Sequence, residues 1–442
     1  MARYYLATFG CQMNKNDSER ITGLLQGLGL FLAGRPEEAD LIVANTCSVR
    51  QAAEDRIFSL VHNWQELRKQ NSKLIIAITG CMPGRDRDGK LRKKINGIDL
   101  FFGIEELVKL PEWIRELNPD LLSGDADKLE NYLEINPKQE NKFQASITIQ
   151  TGCNNHCTYC VVPYARGAEK NRSVKDILAE IERLAQDGCK EVSLLGQVVN
   201  NYQASDGDNY HQDNPFKSQD DFSALLWEIN KLQGIERIFY TAPDPQYFSE
   251  AQVQSLKLPK LVNYLHLPVQ SGDSQILKSM NRKYTREQYI GLIKKIRQAK
   301  PDIALGTDLI VGFPGETQEQ FEDTISLYQE CQFDISYPAM YSERSGTPAS
   351  KAFKDNVPHA EKKRRWQAVQ DLMEKIVLEK NQKYLYKPVS VLVENCEDRI
   401  CCGHSNEMKL VQFLGDQSLI GKIVDVEIIK ADMWILRGKL IK

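Results

Sequence analysis

The sequence of 442 residues lacks several features that mark whole classes of protein. No run of about 18 apolar residues is present, which argues against a membrane-spanning helix. The start, MARYYLATFG, lacks the basic stretch and apolar core of a secretory signal. A net charge of −3 gives no basic field over the whole chain, so any contact with nucleic acid must come from local patches. We therefore expect a cytoplasmic protein without a membrane segment.

The sequence also lacks the cysteine pattern of a disulfide framework. Its eleven cysteines are an odd number in a long chain, which indicates reduced thiols and metal ligation. Three of them, Cys153, Cys157 and Cys160, lie in the single stretch TGCNNHCTYC. Zinc sites usually combine a close pair of cysteines with distant ligands. Three thiolates on one loop favour a cluster of four irons, with one iron left open for a small molecule.

The first hundred residues alternate between apolar stretches typical of buried strands and stretches typical of helices. One helix is expected over 17–30, with Asp17 or Ser18 as N-cap and Gly29 near its end, and another over 48–70. Strands are expected in RYYLATFG, ADLIVANTC and KLIIAITGC, at 3–10, 39–47 and 73–81. This alternation predicts a doubly wound α/β domain with a parallel sheet.

Cys11, Cys47 and Cys81 stand at the ends of these three strands. In open parallel sheets, ligands bind beyond the carboxyl ends of the strands. One cysteine at such a position is common, whereas three at equivalent positions indicate a convergent set.

A polar stretch at 118–142, broken by proline and glycine, reads as a linker. Beyond it, a helix is expected over 173–188 with Ser173 as N-cap. The polar insertion at 204–221 is either a mobile surface loop or a lid over a site. Six further strand–helix units predict a partial or full parallel barrel with its chemistry on the loops after the strands. Their strands are expected at 145–152, 191–196, 235–242, 263–270, 303–313 and 333–341.

The end of the chain changes character after a long helix expected over 359–382. From residue 383 onward, short alternating strands with glycine turns predict a small all-β barrel. The expected strands are 388–395, 408–414, 422–431 and 434–441.

The spacing of Cys153, Cys157 and Cys160, with Tyr159 before the last, resembles the radical S-adenosylmethionine (SAM) enzymes. Longer motifs resemble the methylthiotransferases among them, and the tail resembles TRAM, an RNA-binding barrel. The motifs are FGCQMNKNDSER, NTCSVRQAAEDRIF, TGCMPGR, HLPVQSGD, DLIVGFPGET and YSERSGTPA, at 9–20, 45–58, 79–85, 266–273, 308–317 and 341–349. This resemblance implies a methylthiotransferase N-terminal domain over 1–120, a partial (β/α)6 radical SAM core over 139–380 and a TRAM domain over 383–442.

The resemblance further implies two [4Fe-4S] clusters and SAM as cofactors. Cys153, Cys157 and Cys160 would ligate the SAM-binding cluster. Cys11, Cys47 and Cys81 would ligate an auxiliary cluster, and no catalytic side chain beyond the clusters is expected. Contacts to SAM are expected from Tyr159, Gln197, Asn200, Gln270, Asp308 and Gly312, mostly at the ends of barrel strands. The alternative is packing for Tyr159, and for the others a polar group satisfied by loop backbone.

The start GCQMN most resembles the members that methylthiolate carbon 2 of N6-dimethylallyladenosine at position 37 of tRNA, giving 2-methylthio-N6-dimethylallyladenosine. Acid–base catalysis alone would not break that unactivated C–H bond, which is the reason for a radical. The expected partners are the tRNA anticodon stem-loop, whose bases can be splayed into a pocket, an electron donor such as flavodoxin or ferredoxin, and a sulfur or cluster donor. We expect a monomer.

Two alternatives stay open at this point. One is a methylthiotransferase with another acceptor, either threonylcarbamoyl-adenosine in tRNA or a ribosomal-protein aspartate. The other is a non-catalytic iron–sulfur or zinc protein that binds RNA.

Three smaller features complete the sequence. Basic runs at 84–94 and 361–366, with lysines and arginines of the tail, are either RNA contacts or solvated faces. Asp244 stands where the family usually has histidine, which puts fine substrate preference in doubt. Five cysteines without cluster spacing are expected to pack as small apolar side chains, two of them in a turn (401 and 402). They are Cys189, Cys331, Cys396, Cys401 and Cys402.

Overall fold

The structure, a computed structural model, describes residues 1–48, 51–124 and 129–441. Its larger sheets follow one another along the chain as an N-terminal parallel sheet, a central set of parallel strands and a C-terminal closed barrel. Residues 49–50 of the expected helix 48–70, and residues 125–128 of the expected linker, lie outside the described residues. Among the described helices, none is both long and apolar enough to cross a membrane.

The N-terminal sheet has the strand order β2-β1-β3-β4-β5, with every pair parallel. Every residue of β3 and β4 is buried, as expected for central strands of a parallel sheet. The strands are β1 (Arg3–Thr8), β2 (Phe31–Leu32), β3 (Leu41–Thr46), β4 (Ile75–Gly80) and β5 (Leu100–Phe101). The helices are α1 (Gln12–Gly27), α2 (Gln51–Leu67), α3 (Cys81–Arg85), α4 (Lys90–Lys94) and α5 (Leu110–Leu117).

Helix α1 begins five residues before the expected start, so the prediction of Asp17 or Ser18 as N-cap is wrong. Cys11 occupies the N-cap position, without a side-chain capping bond. Asp17 and Ser18 are buried within the helix and bond to other elements. A capping signal and a buried polar contact use the same residue types, which explains the error.

The central strands form two parallel three-stranded sheets, ordered β10-β9-β6 and β11-β12-β13. A parallel bridge between Ile238 and Leu261 links their edges, so six strands form the expected partial barrel. These six strands are β6 (Gln144–Thr148), β9 (Glu191–Leu195), β10 (Arg237–Tyr240), β11 (Tyr264–His266), β12 (Ala304–Val311) and β13 (Ile335–Met340). Two short strands, β7 (Gln150–Thr151) and β8 (Lys170–Asn171), form a separate antiparallel pair.

Helices accompany these strands, and their inward faces form the largest apolar core of the described residues. Ser173 caps α7 as predicted, with its side chain accepting from Asp176 N. The helices are α6 (Val162–Arg166), α7 (Val174–Gln186), α8 (Asp221–Lys231), α9 (Glu250–Ser255), α10 (Ser274–Ser279), α11 (Arg286–Ala299), α12 (Gln318–Cys331), α13 (Pro348–Ala352) and α14 (His359–Asn381).

The polar insertion 204–221 is tied to neighbouring helices. Asp206 accepts from the backbone N–H groups of Val174 and Lys175 at the start of α7. Buried Asn214 donates to Glu228 of α8 at 2.8 Å. The insertion is therefore held against α7 and α8 by hydrogen bonds.

The C-terminal strands close into a barrel ordered β14-β15-β16-β18-β17. Strand β15 and its cysteines were expected to be a turn, and that prediction is wrong. The turn is instead formed by Asp398 and Arg399, which both have positive φ, as a two-residue type I′ hairpin requires. The strands are β14 (Pro388–Glu397), β15 (Ile400–Ser405), β16 (Leu410–Leu414), β17 (Ile423–Ala431) and β18 (Leu436–Leu440).

This hairpin also corrects an expectation about the cysteines. Cys396 and Cys401 face each other across β14 and β15 and are joined by a disulfide, where we expected reduced thiols. Cys189 and Cys331 pack in the central core as predicted.

The C-terminal barrel contacts the amino ends of the central strands. Arg237, the first residue of β10, donates to the carbonyls of His404 at 2.8 Å and Ser405 at 3.0 Å. Asn263, just before β11, bonds to Asn406 through its backbone. This barrel therefore lies at the end of the central domain opposite to the carboxyl ends of the strands.

Candidate functional site

The first cysteine triad lies on one loop between β7 and α6. Cys153 and Cys157 are each 8% exposed, and the thiols of the triad are close enough to influence one another electrostatically. Each sulfur accepts one N–H hydrogen bond, a setting that favours thiolate. The donors are Asn155 N to Cys153 at 3.5 Å, Val162 N to Cys160 at 3.4 Å and Arg282 Nη1 to Cys157 at 3.3 Å.

Burial acts in the opposite direction on these thiols. It raises the pKa of Cys153 to about 11 and that of Cys160 to about 12. Binding of a metal group must therefore displace protons. No group of three His, Cys, Asp or Glu among the described residues is arranged for a single metal ion. A four-iron cluster takes each thiolate on a different iron, so the donor set suits a cluster better than one ion.

The second triad is assembled by the N-terminal sheet. Cys47 directly follows β3 and Cys81 directly follows β4, after the register pair Thr46 and Gly80. Cys11 follows the end of β1, and Gly10 lies so close that a Cβ built on it would be 2.8 Å from Cys47 Cβ. Gly10 has φ of +130°, which permits this approach. The three expected strand ends therefore bring their cysteines together.

A buried network of asparagine side chains holds these strand ends together. The sequence pattern did not predict these asparagines as part of the site. Asn14 Nδ2 donates to Asn45 Oδ1 at 3.1 Å and to the carbonyl of Thr46 at 3.2 Å. Asn45 Nδ2 donates to the Asn14 carbonyl at 2.8 Å, and the Cys11 thiol donates to Asn14 Oδ1 at 3.3 Å. Both asparagines stand within three residues of a triad cysteine, which is the signal that could have found them.

The two triads share one face, because the short helices that follow them pack together. Helix α3 begins at Cys81, and α6 begins two residues after Cys160. A Cβ built on Gly84 of α3 would lie 2.1 Å from the carbonyl oxygen of Ala165 in α6, so only glycine permits this contact. Arg85 Nη1 also donates to the Ser345 carbonyl, in the loop after β13, at 3.2 Å.

A buried ion pair lies at this junction. Arg166 Nη2 is 2.6 Å from Asp17 Oδ2, and each side chain is 1% exposed. Burial by itself lowers the pKa of Arg166, but the negative charges of the Asp17 carboxylate and of a Cys81 thiolate hold that pKa well above its usual range. Arg166 Nη1 is buried and finds no acceptor among the described residues. A buried donor of this kind is costly unless paired, and an anionic cluster at Cys81 would supply an acceptor.

Four of the six expected SAM contacts lie beside the first triad or along β12. Tyr159 packs against the apolar cluster of Ile276, Met280, Phe313, Tyr341 and Ala349. Gln270 has φ of +70° and donates through its backbone N–H to the Asp308 carbonyl at 2.9 Å. Asp308 Oδ2 lies 3.2 Å from His266 Nε2, and Gly312 N donates to Glu316 at 2.6 Å.

The other two expected contacts follow β9. Gln197 is partly exposed. Asn200 is buried and uses its amide to bond both backbone groups of Asp244 and the side chain of Gln252. Its side chain therefore positions the Asp244 loop.

The two basic runs have different surroundings. In 361–366, Lys362 pairs with Asp355 at 2.6 Å and Arg365 with Glu316 at 2.6 Å, so both have structural roles. In 84–94, Arg85 is held by Glu54, but Arg87, Lys93 and Lys94 are exposed. This run lines a cleft of about 400 Å³ together with Val161, which precedes α6, Tyr164 of α6 and Lys351.

Comparison with known proteins identifies the class. Residues 147–328 match the radical SAM superfamily, and residues 3–103 match a family described as uncharacterized protein family UPF0004. The radical SAM methyltransferase TsrM from Kitasatospora setae, solved with tryptophan and a SAM analogue, is 14% identical with a TM-score of 0.55, covering 79% of this chain and 75% of that one. The apo form of the cobalamin-dependent radical enzyme OxsB is 13% identical with a TM-score of 0.53, covering 85% and 56%. These likenesses show a radical SAM fold.

Relatives of higher identity define the family. The tRNA-2-methylthio-N(6)-dimethylallyladenosine synthase of Acetivibrio thermocellus is 40% identical over 99% of this chain and 91% of its own length. The enzyme of the same name from Geobacillus kaustophilus is 40% identical over 99% of this chain and 82% of its own length. The chain belongs to this family, as the resemblance implied.

Proposed function

We propose that the protein methylthiolates carbon 2 of N6-dimethylallyladenosine at position 37 of tRNA. The observation that carries this proposal is the pair of cysteine triads held on one face by contact between α3 and α6. When bound, two [4Fe-4S] clusters and SAM supply a carbon-centred radical and a methylated sulfur for transfer. A fold with one triad would provide only the radical.

The chain's own residues would hold these groups as follows. Cys153, Cys157 and Cys160 ligate the SAM-binding cluster. Cys11, Cys47 and Cys81 ligate the auxiliary cluster, with Arg166 offering its free N–H beside Cys81. Cys47, Cys81, Cys153 and Cys157 are buried, which limits the access of water to this side of each cluster.

For SAM we propose contacts from Tyr159, Gln197, Gln270, Asp308 and Gly312, with Asn200 acting through the Asp244 loop. Support comes from the position of Tyr159 within the cysteine loop, next to Cys160, and from the backbone bond between Gln270 and Asp308. The Asp308 side chain is 40% exposed, so a ligand can reach its carboxylate.

The tRNA partner is supported by two surfaces. Exposed Arg87, Lys93 and Lys94 lie on the run that lines the cleft near both triads. The C-terminal barrel exposes Tyr386 and Trp434, and aromatic faces stack on unpaired bases. Phosphate contacts should make tRNA binding fall steeply with salt.

Further proposals concern the cellular setting. We propose a cytoplasmic monomer with domains at 1–120, 139–380 and 383–442. It receives electrons from a small donor such as flavodoxin or ferredoxin, and sulfur from a separate sulfur or cluster donor.

The test is nucleoside mass spectrometry of tRNA from a strain that lacks the gene. Restoration of 2-methylthio-N6-dimethylallyladenosine by the wild-type gene, but not by a Cys157→Ala gene, is the expected result. A matched Cys402→Ala gene should restore the product, because Cys402 lies in the distant barrel. Accumulation of unmethylthiolated threonylcarbamoyl-adenosine in the deletion strain, with dimethylallyladenosine fully methylthiolated, would contradict the proposal.

A further inference from the structure

Arg282 places a positive charge against a sulfur of the first triad. It follows α10, its Nη1 donates to Cys157 Sγ at 3.3 Å, and its Nε donates to the Tyr284 hydroxyl at 3.0 Å. Its side chain is only 8% exposed. A buried cation is costly unless it is compensated nearby.

Asp244 supplies that compensation. Its Oδ2 lies 3.0 Å from Arg282 Nη2 and accepts from Asn155 Nδ2 at 2.9 Å. Asp244 is 4% exposed, and its backbone is bonded by the Asn200 amide. The carboxylate therefore joins Arg282 to Asn155, which lies within the cysteine loop.

A second connection makes the arrangement rigid. Asn281, next to Arg282, donates from Nδ2 to the carbonyls of Asn155 at 3.2 Å and His156 at 3.1 Å. Arg282 N also donates to the Leu277 carbonyl at 2.8 Å. The guanidinium thus has little freedom to move away from Cys157.

We propose that Arg282 is a positioning residue that raises the reduction potential of the SAM-binding cluster, and that Asp244 limits the size of this effect. The inference rests on the proposed function only in requiring that the first triad ligates a cluster. Reduction adds negative charge to a cluster, and a positive charge or N–H donor at a ligand sulfur stabilises the reduced form. Low local polarity makes such an interaction stronger than it would be in water.

The two partners then have opposite effects. Arg282→Gln removes the cation and leaves the Asp244 carboxylate uncompensated, so the potential should become more negative. Asp244→Asn removes the anion and leaves the guanidinium beside Cys157, so the potential should become less negative. A purely structural brace would not give shifts of opposite sign.

The experiment is a redox titration of the reconstituted full chain followed by electron paramagnetic resonance. A Cys47→Ala background removes the auxiliary cluster, so that one signal is measured. Arg282→Lys keeps the positive charge, so the reduction potential of this variant should remain near that of the parent protein. Arg286→Gln is the matched control, because Arg286 bonds to Gly272, Asp323 and Ser326, away from the cysteine loop.

The outcomes separate this inference from the proposed function. Shifts of opposite sign in the two variants support the inference. Equal potentials in all variants, or shifts of one sign in both, overturn it. If Arg282→Gln does not retain iron, the other two variants decide. A less negative potential for Asp244→Asn together with an unshifted potential for Arg282→Lys supports the inference, and any other pair of potentials overturns it. A parent protein that binds no cluster at the first triad overturns the proposed function itself.

Discussion

The two cysteine triads differ in how the chain builds them. The first is local, with three thiols on one loop between Cys153 and Cys160. The second draws Cys11, Cys47 and Cys81 from three strand ends and depends on the register of the N-terminal sheet. A buried arginine accompanies each triad, but Arg282 donates to a cysteine sulfur whereas Arg166 keeps one N–H unpartnered among the described residues. The position of the thiols in the first triad therefore depends on the sequence spacing of its cysteines, whereas their position in the second triad depends on the folded sheet.

The largest expected effect separates the two triads by function. Cys157→Ala should abolish SAM cleavage, because the open iron that binds SAM is lost. Cys47→Ala should spare SAM cleavage and stop formation of methylthiolated tRNA. Each variant should retain about four of about eight irons after anaerobic reconstitution, measured by iron assay. Methylthiolated product from the Cys47→Ala protein would contradict the role of the second triad.

The next prediction tests whether iron binding at the second triad depends more on the stability of the fold than iron binding at the first triad does. Arg166→Met leaves the Asp17 carboxylate buried without a partner, at a cost of about 3–5 kcal/mol in the free energy of unfolding. Iron should be lost from the second triad before the first. Urea unfolding and the two cluster signals are the measurements. Adding Asp17→Leu should recover part of the stability, and failure to recover any would argue against the ion pair as the cause.

A smaller effect is expected at the contact between α3 and α6. Gly84→Ala forces a Cβ against the Ala165 carbonyl, at a cost of about 1–3 kcal/mol. Methylthiolation should fall more than SAM cleavage, since the change moves the triads relative to each other. The matched control is Gly27→Ala, because a Cβ there meets no atom within 4 Å. Equal losses of both activities would indicate general damage.

The smallest effect concerns the partly buried carboxyl group of Glu19 in α1. Burial raises the pKa of Glu19 from 4.5 to about 7, although Asn16 donates to it. Because the folded state holds this proton more tightly, the stabilisation is present below pH 4.5 and is lost as the pH rises through 7. Glu19→Gln should therefore be more stable than wild type at pH 8, by about 1–2 kcal/mol once solvent screening of this partly exposed side chain is taken into account. Denaturation at pH 5 and pH 8 measures the difference, and an equal gain at both would refute it.

These contrasts show what the sequence could predict. Strand and helix periodicity located the α/β sheet, the six barrel strands and four of the five tail strands, because these patterns depend on neighbouring residues. The start of α1 and strand β15 were misread, since capping residues also serve as buried partners and the Asp398–Arg399 turn lacks glycine. The partners Arg282 and Asp244 could not be paired in advance, because they lie 38 positions apart in the sequence and only the folded central domain brings them together.

The position of the C-terminal barrel has a consequence for substrate length. It contacts the amino ends of the central strands, while the cysteine loop lies beyond the carboxyl end of β6. Strand β12 alone has eight residues, which corresponds to about 26 Å. An RNA that touches both ends must reach at least that far, so a bare loop of a few nucleotides would engage one end and a longer stem-loop could engage both. Extending a hairpin substrate stepwise should therefore produce an abrupt gain in affinity, not a gradual one.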